Sequence, residues 1–273
     1  MVMNSVNTNA GALVALQSLN RTNEALQTVQ KRVTTGNRVN DAVDDGAAFA
    51  VAQTLRSEIG AYGAVNQQLG VAKGVVGVAL EGATKVSDTL AKGREVLTKL
   101  ADANLTTAQR EQYNSDLSRL LGEVKNFIKA ATFNETNLLC ATAATKKVIS
   151  NINGELYSIA SATLNAATTA LAAVATATDA SNALTATGAW VKGNAATSTA
   201  LNSLGGDMRR LTNQINFNSS LQKASEEALG TIVDADLAKE SARLQSLQIR
   251  QQLGTQTLGI ANQAPQILLG LFR

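Results

Sequence analysis

The sequence has little of several residue types on which enzymes and small secreted folds depend. Its 273 residues include no histidine, one cysteine and one proline, and aromatic residues make up 3%. The lack of histidine excludes Ser-His and Cys-His catalytic pairs and most zinc sites. A single cysteine, Cys140, excludes an intramolecular disulfide and a Cys-x-x-Cys metal site. No convergent set of titratable residues is visible, so we expect neither enzyme activity nor a cofactor.

Charge and long apolar runs are also scarce. The 24 Lys and Arg residues against 21 Asp and Glu give a net charge of +3, which is too small and dispersed to indicate nucleic-acid binding. Residues 156–178 lack charge but are rich in Ala, Thr, Ser and Asn, so membrane insertion is not expected. The first basic residue is Arg21, which is too late for a cleavable signal peptide. The chain is therefore expected to be cytoplasmic, or exported without a cleaved signal.

Helical patterns dominate, because the near absence of proline leaves the chain free to form long helices. Residues 1–33 place apolar side chains at alternating spacings of three and four, which predicts a helix with a coiled-coil stripe. A longer pattern runs from Ala47 to about Ala103, and a third ends near Ala131. The longer one would be about 80 Å long. We expect a rod of that length to need partners, since it cannot fold back into a compact domain alone.

The middle of the chain, residues 134–206, is dominated by Ala, Thr, Ser and Asn. An Asn-Gly pair at Asn153 lies between two apolar runs and predicts a β-hairpin over residues 148–159. The Ala/Thr run after it is either short helix or exposed loop. Helical pattern then returns at Asp207 and continues to the C-terminus, where we expect the last helix to bend or stop at Pro265.

The last helix carries two apolar stripes, which indicates that it touches more than one neighbour. One contains Ala242, Ile249, Leu253, Ile260, Ile267 and Leu271, and the other contains Leu237, Leu244, Leu247 and Leu258. A monomer would expose such faces, and large exposed apolar patches mark interfaces. The glutamines of this helix, Gln251 among them, either face solvent or hydrogen-bond across a helix–helix interface.

A polar connector precedes the longest helix. Read as a calcium loop, its acids Asp41, Asp44 and Asp45 lack the final Glu ligand, because Ala52 occupies that position. Acidic residues just before a helix instead stabilise its N-terminus. Arg38 lies close enough in sequence to pair with one of these acids.

Segments at both ends of the chain resemble bacterial flagellins. Residues 35–48, T-G-N-R-V-N-D-A-V-D-D-G-A-A, are similar to the family's S-G-L-R-I-N-S-A-K-D-D-A-A-G segment. The opening V-N-T-N run at residues 6–9 and the last residues, 234–273, also look like the family's terminal signatures. The match covers roughly residues 1–140 and 207–273, and the two ends together are specific to the family.

The resemblance implies a mainly α fold, with long helices, N- and C-terminal helices paired as a coiled coil, and a small β-hairpin region in the middle. It implies five segments: an inner coiled-coil part at 1–40, a long-helix part at 41–140, a variable solvent-facing segment with the hairpin at 141–206, a second long-helix part at 207–232 and a second coiled-coil part at 233–273. The expected function is a structural subunit that polymerises into the flagellar filament for swimming. A hook–filament junction protein and a cytoplasmic coiled-coil signalling protein are the alternatives.

The implied partners are copies of the same chain, related flagellins, hook-associated and cap proteins, the flagellar export apparatus and an export chaperone. Export would proceed uncleaved through the flagellar channel. Copies that add head to tail through heterologous surfaces form a helical polymer. The residues expected in the polymerisation seam are Leu13, Leu16, Leu19, Leu26, Val29 and Val33 at the N-terminus, with Ala242, Ile249, Leu253, Ile260, Ile267 and Leu271 at the C-terminus.

One further segment, residues 90–96, is similar to the L-Q-R-V-R-E-L segment that flagellins of some bacteria present to an innate immune receptor. Arg94 and Glu95 match, whereas Lys92 stands where Arg is usual. Because Lys lacks the planar bidentate fork of Arg, we expect weak or absent recognition by the receptor. The alternative is an exposed charged helix face.

Overall fold

The computed structural model describes residues 8–170 and 172–270, with side chains up to residue 263 in the last helix. Within these ranges the chain forms seven helices and one two-stranded antiparallel sheet. The elements in chain order are α1 (Ala10–Thr35), α2 (Gly46–Leu100), α3 (Thr107–Ala130), β1 (Lys146–Ile149), β2 (Leu156–Ile159), α4 (Asn165–Thr169), α5 (Ala177–Leu184), α6 (Ala189–Val233) and α7 (Leu237–Gly270). The mainly α fold class with a small hairpin is confirmed. None of the helices in these ranges has the combined length and hydropathy that crossing a membrane requires.

The chain divides into two compact units. The first contains Met1–Ser57 and Ala224–Arg273, and the second contains Glu58–Lys223. The long helices α2 and α6 contribute residues to both units. The five-segment division of the chain stays a prediction.

The second unit has a core of its own, which contradicts the expectation that the long rod needs partners to be covered. One face of α2 is completely buried, with Leu69, Leu90 and Leu97 at 0% exposure. Side chains of α3 and α6, such as Leu117 and Leu204, belong to the same cluster, as do residues of the hairpin. The apolar face of the rod is covered because α3, α6 and the hairpin contribute side chains to the same cluster.

The junction between α2 and α3 is fixed by polar contacts. The Thr106 side chain and Gln109 bond reciprocally at the start of α3, which forms a capping box. Arg110 donates from Nη1 to the carbonyl of Leu100 at 2.9 Å and so satisfies the end of α2. The two helices therefore end and begin close to where the sequence predicts.

The hairpin predicted from the Asn-Gly pair is confirmed. Strand β1 pairs with β2 in a register that places Val148 opposite Tyr157. The side chains of Gln214 and Asn218 on α6 each donate to the carbonyl of Ser150, at 3.1 and 3.0 Å. These bonds hold the hairpin against α6.

The structure corrects one prediction about the C-terminal half and part of another. Helix α6 begins at Ala189 rather than at Asp207, because Thr197 and Ala200 pack into the core of the second unit and extend the helix toward the N-terminus. For the Ala/Thr run before it, the short-helix alternative is confirmed, because the run contains α4 and α5. Helix α7 extends to Gly270, beyond Pro265, so it does not stop at the proline, and a bend there stays a prediction.

Candidate assembly surface

Helices α1 and α7 pair in antiparallel orientation within the first unit. At one end Asn9 donates from Nδ2 to the carbonyl of Ala261 at 2.7 Å. At the other end Arg32 donates from Nη1 to Oε1 of Glu240 at 3.2 Å. The N-terminus of α1 therefore lies beside the C-terminal part of α7, and the two helices contact each other along their length.

Between these ends the pairing is set by one polar and one steric contact. Gln251 donates from Nε2 to Oδ1 of Asn23 at 2.8 Å, so the interface alternative for this glutamine is confirmed. A Cβ atom added at Gly254 would lie 3.2 Å from Cδ1 of Leu19. Glycine at this position therefore allows the two helices to approach closely.

The two apolar stripes of α7 have different environments. Of the predicted stripe with Leu237, the residues Leu244, Leu247 and Leu258 are buried or half-buried and define the inner stripe, whereas Leu237 is 49% exposed. The outer stripe is defined by Ala242, Ile249, Leu253 and Ile260, and all four side chains are exposed. At about 100° per residue the two stripes lie on nearly opposite faces of the helix. Pairing with α1 thus leaves the outer stripe uncovered.

The apolar side chains of α1 also form a buried and an exposed set, which lie at different positions along the helix. Val29 is buried at 2% exposure, and Leu19, Leu26 and Val33 are half-buried. Leu13 and Leu16, in the first two turns, are exposed at 58% and 42%. The N-terminal part of α1 therefore presents apolar surface that its own chain does not cover.

The seam residues of the sequence prediction consequently fall into two sets. Leu19, Leu26, Val29 and Val33 are buried or half-buried within the first unit, whereas the outer stripe, Leu13 and Leu16 are exposed. The side chain of Ile267 and the whole of Leu271 lie outside the described residues. The participation of all of them in polymerisation stays a prediction.

A groove of about 300 Å³ follows the line where α1 and α7 meet. Its walls include the Leu19 side chain on one helix and Leu253 and Gly254 on the other. Gly254 has no side chain and leaves the groove open there, and the other walls are mixed, with Ser18, Thr22, Arg250 and Thr257 beside the aliphatic groups.

The pair Arg32–Glu240 is a largely enclosed charged contact of the first unit. The side chain of Glu240 is 10% exposed and that of Arg32 is 24% exposed. Arg32 Nε and Glu240 Oε2 are both buried without a hydrogen-bond partner. A buried pair of this kind fixes the register of two helices more than it stabilises them, since both charges lose hydration.

The connector acids bind Lys31 and not Arg38, which corrects the predicted pairing. Lys31 Nζ lies 2.6 Å from Oδ2 of Asp41 and 2.9 Å from Oδ2 of Asp44. Its hydrogen bonds lower the pKa of both carboxyls below the ordinary 3.8 and raise the pKa of Lys31 above 10.5. Asp45 accepts from the backbone N–H of Ala48 at 3.0 Å, as expected for an acid at a helix start.

Arg38 instead donates to backbone at the junction of α6 and α7. Its guanidinium bonds the carbonyl of Ile232, and its own backbone N–H bonds the carbonyl of Val233 at 2.6 Å. The N–H of Ala235 donates to the carbonyl of Gly36 at 2.8 Å. Gly36 adopts a positive φ of 74° at the end of α1, where a residue without Cβ is favoured. Hydrogen bonds therefore join the turn after α1 to the turn before α7.

Sequence reasoning missed Lys31, Arg32 and Glu240. Lys31 could have been predicted from its position, because it lies one turn before the end of α1 and within reach of the acids. The partners Arg32 and Glu240 are 208 positions apart. Their pairing follows from the antiparallel register, which no local pattern encodes.

The segment compared with the receptor-binding region lies on α2 in the second unit, with Lys92, Arg94 and Glu95 exposed. The guanidinium carbon of Arg94 lies 5.1 Å from the ring centroid of Trp190. Lys92 and Glu95 belong to a row of exposed residues of alternating charge at spacings of four and three, namely Glu81, Lys85, Asp88, Lys92, Glu95 and Lys99. Such spacing stabilises a helix through pairs of opposite charge, which favours the charged-face alternative. Weak recognition by a receptor stays a prediction.

Comparisons with known proteins agree with the terminal resemblance. The model of the bacterial flagellin N-terminal helical region matches residues 6–144, and that of the bacterial flagellin C-terminal helical region matches residues 191–272. Flagellins FljM and FljK of Caulobacter vibrioides are each 36% identical to the chain over 273 residues, with all of both chains covered. A flagellin of Brucella melitensis is 33% identical over 284 residues and covers 99% of this chain and 100% of its own length.

Proposed function

The chain belongs to the bacterial flagellin family, and from that premise we propose that the uncovered faces of α1 and α7 are the surfaces through which its copies polymerise. As a flagellin it is a structural subunit of the extracellular flagellar filament and not an enzyme. It assembles with copies of itself. The proposal concerns which residues of this chain form the contacts.

The observation that carries the proposal is the exposure of the outer stripe of α7. Ile249 and Leu253 are each 57% exposed, and Ile260 is 70% exposed. Moving such half-exposed aliphatic side chains out of water contributes on the order of 1 kcal/mol each. The gain recurs for every copy, because each side chain meets a neighbour throughout a polymer. Repetition of modest contacts offsets the loss of translational freedom on assembly.

The geometry also supports a heterologous contact. The outer stripe is exposed on α7, with Leu253 at the edge of the groove beside α1, whereas Leu13 and Leu16 lie on α1 itself. Two different apolar surfaces on one copy suit head-to-tail addition, which yields a helical polymer when the rotation between copies does not close. The groove beside Leu19 and Gly254 offers a recess for an incoming side chain.

The proposal extends to the remaining partners that the family resemblance implies. An uncovered aliphatic stripe needs shielding before assembly, which supports binding of an export chaperone to α7. Exit uncleaved through the flagellar export channel, and contacts with hook-associated and cap proteins at the filament ends, complete the proposal. Because one organism carries at least two full-length relatives, mixing with related flagellins in one filament is also proposed.

A charge placed on the outer stripe tests the assembly surface. In Leu253→Asp a carboxylate would be buried against a neighbour without a partner, so we expect seeded polymerisation to fail. Gln252→Asp is the matched control, because it adds the same charge at an exposed position next to Leu253 but off the stripe. Electron microscopy of seeded samples and circular dichroism of the unassembled chains are the measurements. Normal filaments from Leu253→Asp would overturn the surface assignment.

A further inference from the structure

The turn of the hairpin contains an arrangement that the filament function does not use. Asn153 and Gly154 are both exposed, and they form the only Asn-Gly pair in the 273-residue sequence. A side-chain amide followed by glycine is placed to react with the next backbone nitrogen, because a five-membered ring results and no side chain shields that nitrogen. We propose that Asn153 is a self-modification site, which converts to aspartate and isoaspartate without an enzyme.

Contacts within the turn single out Asn153 over its neighbour Asn151. The Asn151 carbonyl oxygen Oδ1 accepts from the N–H groups of Asn153 and Glu155, both at 3.1 Å. Its Nδ2 donates to Oε2 of Glu155 at 2.9 Å. Asn151 is moreover followed by the β-branched Ile152, which crowds the next nitrogen. The side chain of Asn151 is thus held in place, whereas no such bond from the described part of the chain holds the exposed carboxamide of Asn153.

The nucleophilic nitrogen of Gly154 belongs to an exposed residue and is held only by a long hydrogen bond. Its N–H bonds the carbonyl of Asn151 at 3.3 Å, which is longer than an ordinary N–H···O bond. Gly154 has a φ of +82°, a left-handed conformation that favours glycine, so the turn itself keeps a residue without Cβ at this position. The hairpin turn therefore favours glycine at position 154, and glycine leaves the nitrogen next to Asn153 unshielded.

The reaction balances with water as the one co-reactant. The backbone nitrogen of Gly154, after losing its proton, bonds to Cγ of Asn153, and the side-chain nitrogen leaves with protons as ammonia. Water then adds to the cyclic imide. Opening at the Cγ–N bond leaves aspartate, and opening at the bond between the main-chain carbonyl carbon and nitrogen leaves isoaspartate, in which the backbone runs through the former side chain.

Both products change the contacts that hold the turn. A carboxylate at position 153 lies two residues from Glu155, and like charges in one turn repel each other. Isoaspartate adds one carbon to the backbone between Asn151 and Glu155, and so moves Glu155 away from the N–H of Ser150, which donates to its carbonyl at 2.7 Å. Ser150 is also the residue whose carbonyl binds α6. The hairpin should therefore loosen as the protein ages.

Incubation of the full-length wild-type protein tests the proposal, with peptide mass spectrometry as readout and isoaspartyl methyl transfer as a second probe. We expect Asn153 to lose its amide about tenfold faster than Asn151, a difference of about 1.4 kcal/mol in barrier. The rate should rise from mildly acidic to mildly alkaline buffer, because the attacking nitrogen must lose a proton. Asn153→Gln is the control, since its longer side chain closes a less favourable ring, and it should abolish the methyl transfer at this site. Loss at Asn151 equal to or faster than at Asn153, or no loss at either, would overturn the proposal.

Discussion

Arg32 donates from Nη1 to Oε1 of Glu240 across 3.2 Å, and this bond joins the last turn of α1 to the first turn of α7. Both charges stand where the helix dipoles favour them, the cation at a C-terminus and the anion at an N-terminus. In this register of α7 against α1, the ion pair forms and each charge also lies at the helix end that favours it. A shift of α7 by one turn would leave Glu240 buried without the arginine.

Removal of one partner should cost more than removal of both. In Glu240→Leu the Arg32 guanidinium, 24% exposed, loses its counter-ion, so we expect unfolding of the first unit to become easier by roughly 2–3 kcal/mol. The double variant Arg32→Leu with Glu240→Leu should lose less, because no unpaired charge remains. Hydrogen exchange of the α1 and α7 amides in the four members of the cycle measures this. If the losses of stability in the two single variants sum to the loss in the double variant, the two charges are not coupled.

The connector should be held to α1 over a wide but bounded pH range. The pKa values of Asp41 and Asp44 are lowered by their hydrogen bonds to Lys31, so their contribution is present above pH 3.8 and is lost as the pH falls through their folded pKa values. The pKa of Lys31 is raised by the same bonds, so its contribution is present below pH 10.5 and is lost as the pH rises through its folded pKa. Amide exchange of residues 40–45 as a function of pH should show protection between these limits.

Two variants separate this contact from others in the connector. Lys31→Met should flatten the pH dependence of exchange in residues 40–45, because neither acid then has a cation to bind. Arg38→Met should leave it unchanged, since the Arg38 guanidinium binds the carbonyl of Ile232 and not an acid. If amide exchange in residues 40–45 lost its pH dependence in Arg38→Met but not in Lys31→Met, the acids would pair with Arg38, as the sequence predicts.

The elements that sequence could predict are those with a periodic or a turn signal of their own. Helices α2 and α3 and the Asn153 hairpin fall close to their predicted places for this reason. Helix α6 was predicted to begin near Gly205-Gly206 because the stretch before these glycines is low in charge and in large apolar residues. Its helical state depends on core packing around Thr197 and Ala200, which outweighs weak local propensity.

The candidate surface shows a related limit. The sequence correctly indicates two apolar stripes on α7, but Leu253 and Leu247 are the same residue type in equivalent patterns. Which stripe meets α1 is decided by the register that Gln251 and Gly254 set with α1. Local pattern thus predicts that both surfaces exist, and only tertiary pairing decides which one remains free.

Two glycines of α2 should respond oppositely to a methyl group. At Gly82 an added Cβ would lie 2.7 Å from Cβ of Ala131 and 3.0 Å from Cδ1 of Leu139, so Gly82→Ala should destabilise the second unit by about 1–3 kcal/mol through overpacking. At Gly70 nothing lies within 4 Å, and Gly70→Ala should stabilise the helix by about 0.8–1 kcal/mol. Urea unfolding of the unassembled chain followed by circular dichroism compares them. Equal signs for the two variants would contradict the close approach at Gly82.

The beginning of α6 should depend on Trp190. This side chain is 8% exposed, and its Nε1–H donates to the carbonyl of Leu90 at 2.8 Å across to α2. Trp190→Phe keeps most of the apolar surface but removes the donor, so we expect a loss of about 1 kcal/mol and faster amide exchange over residues 189–196. The Leu90 carbonyl keeps its helical partner, so no orphaned acceptor enlarges the effect.

Arg94→Met separates this hydrogen bond from the contact of Arg94 with the Trp190 ring. The guanidinium lies 5.1 Å from the ring centroid at the surface, and its removal should cost only about 0.5–1 kcal/mol. It should leave exchange at the start of α6 slow, because the indole donor remains. Since Trp190 is the one tryptophan of the chain, its fluorescence reports directly whether the ring stays buried in Arg94→Met. Faster exchange in Arg94→Met than in Trp190→Phe would mean that the cation, and not the indole hydrogen bond, fixes where α6 begins.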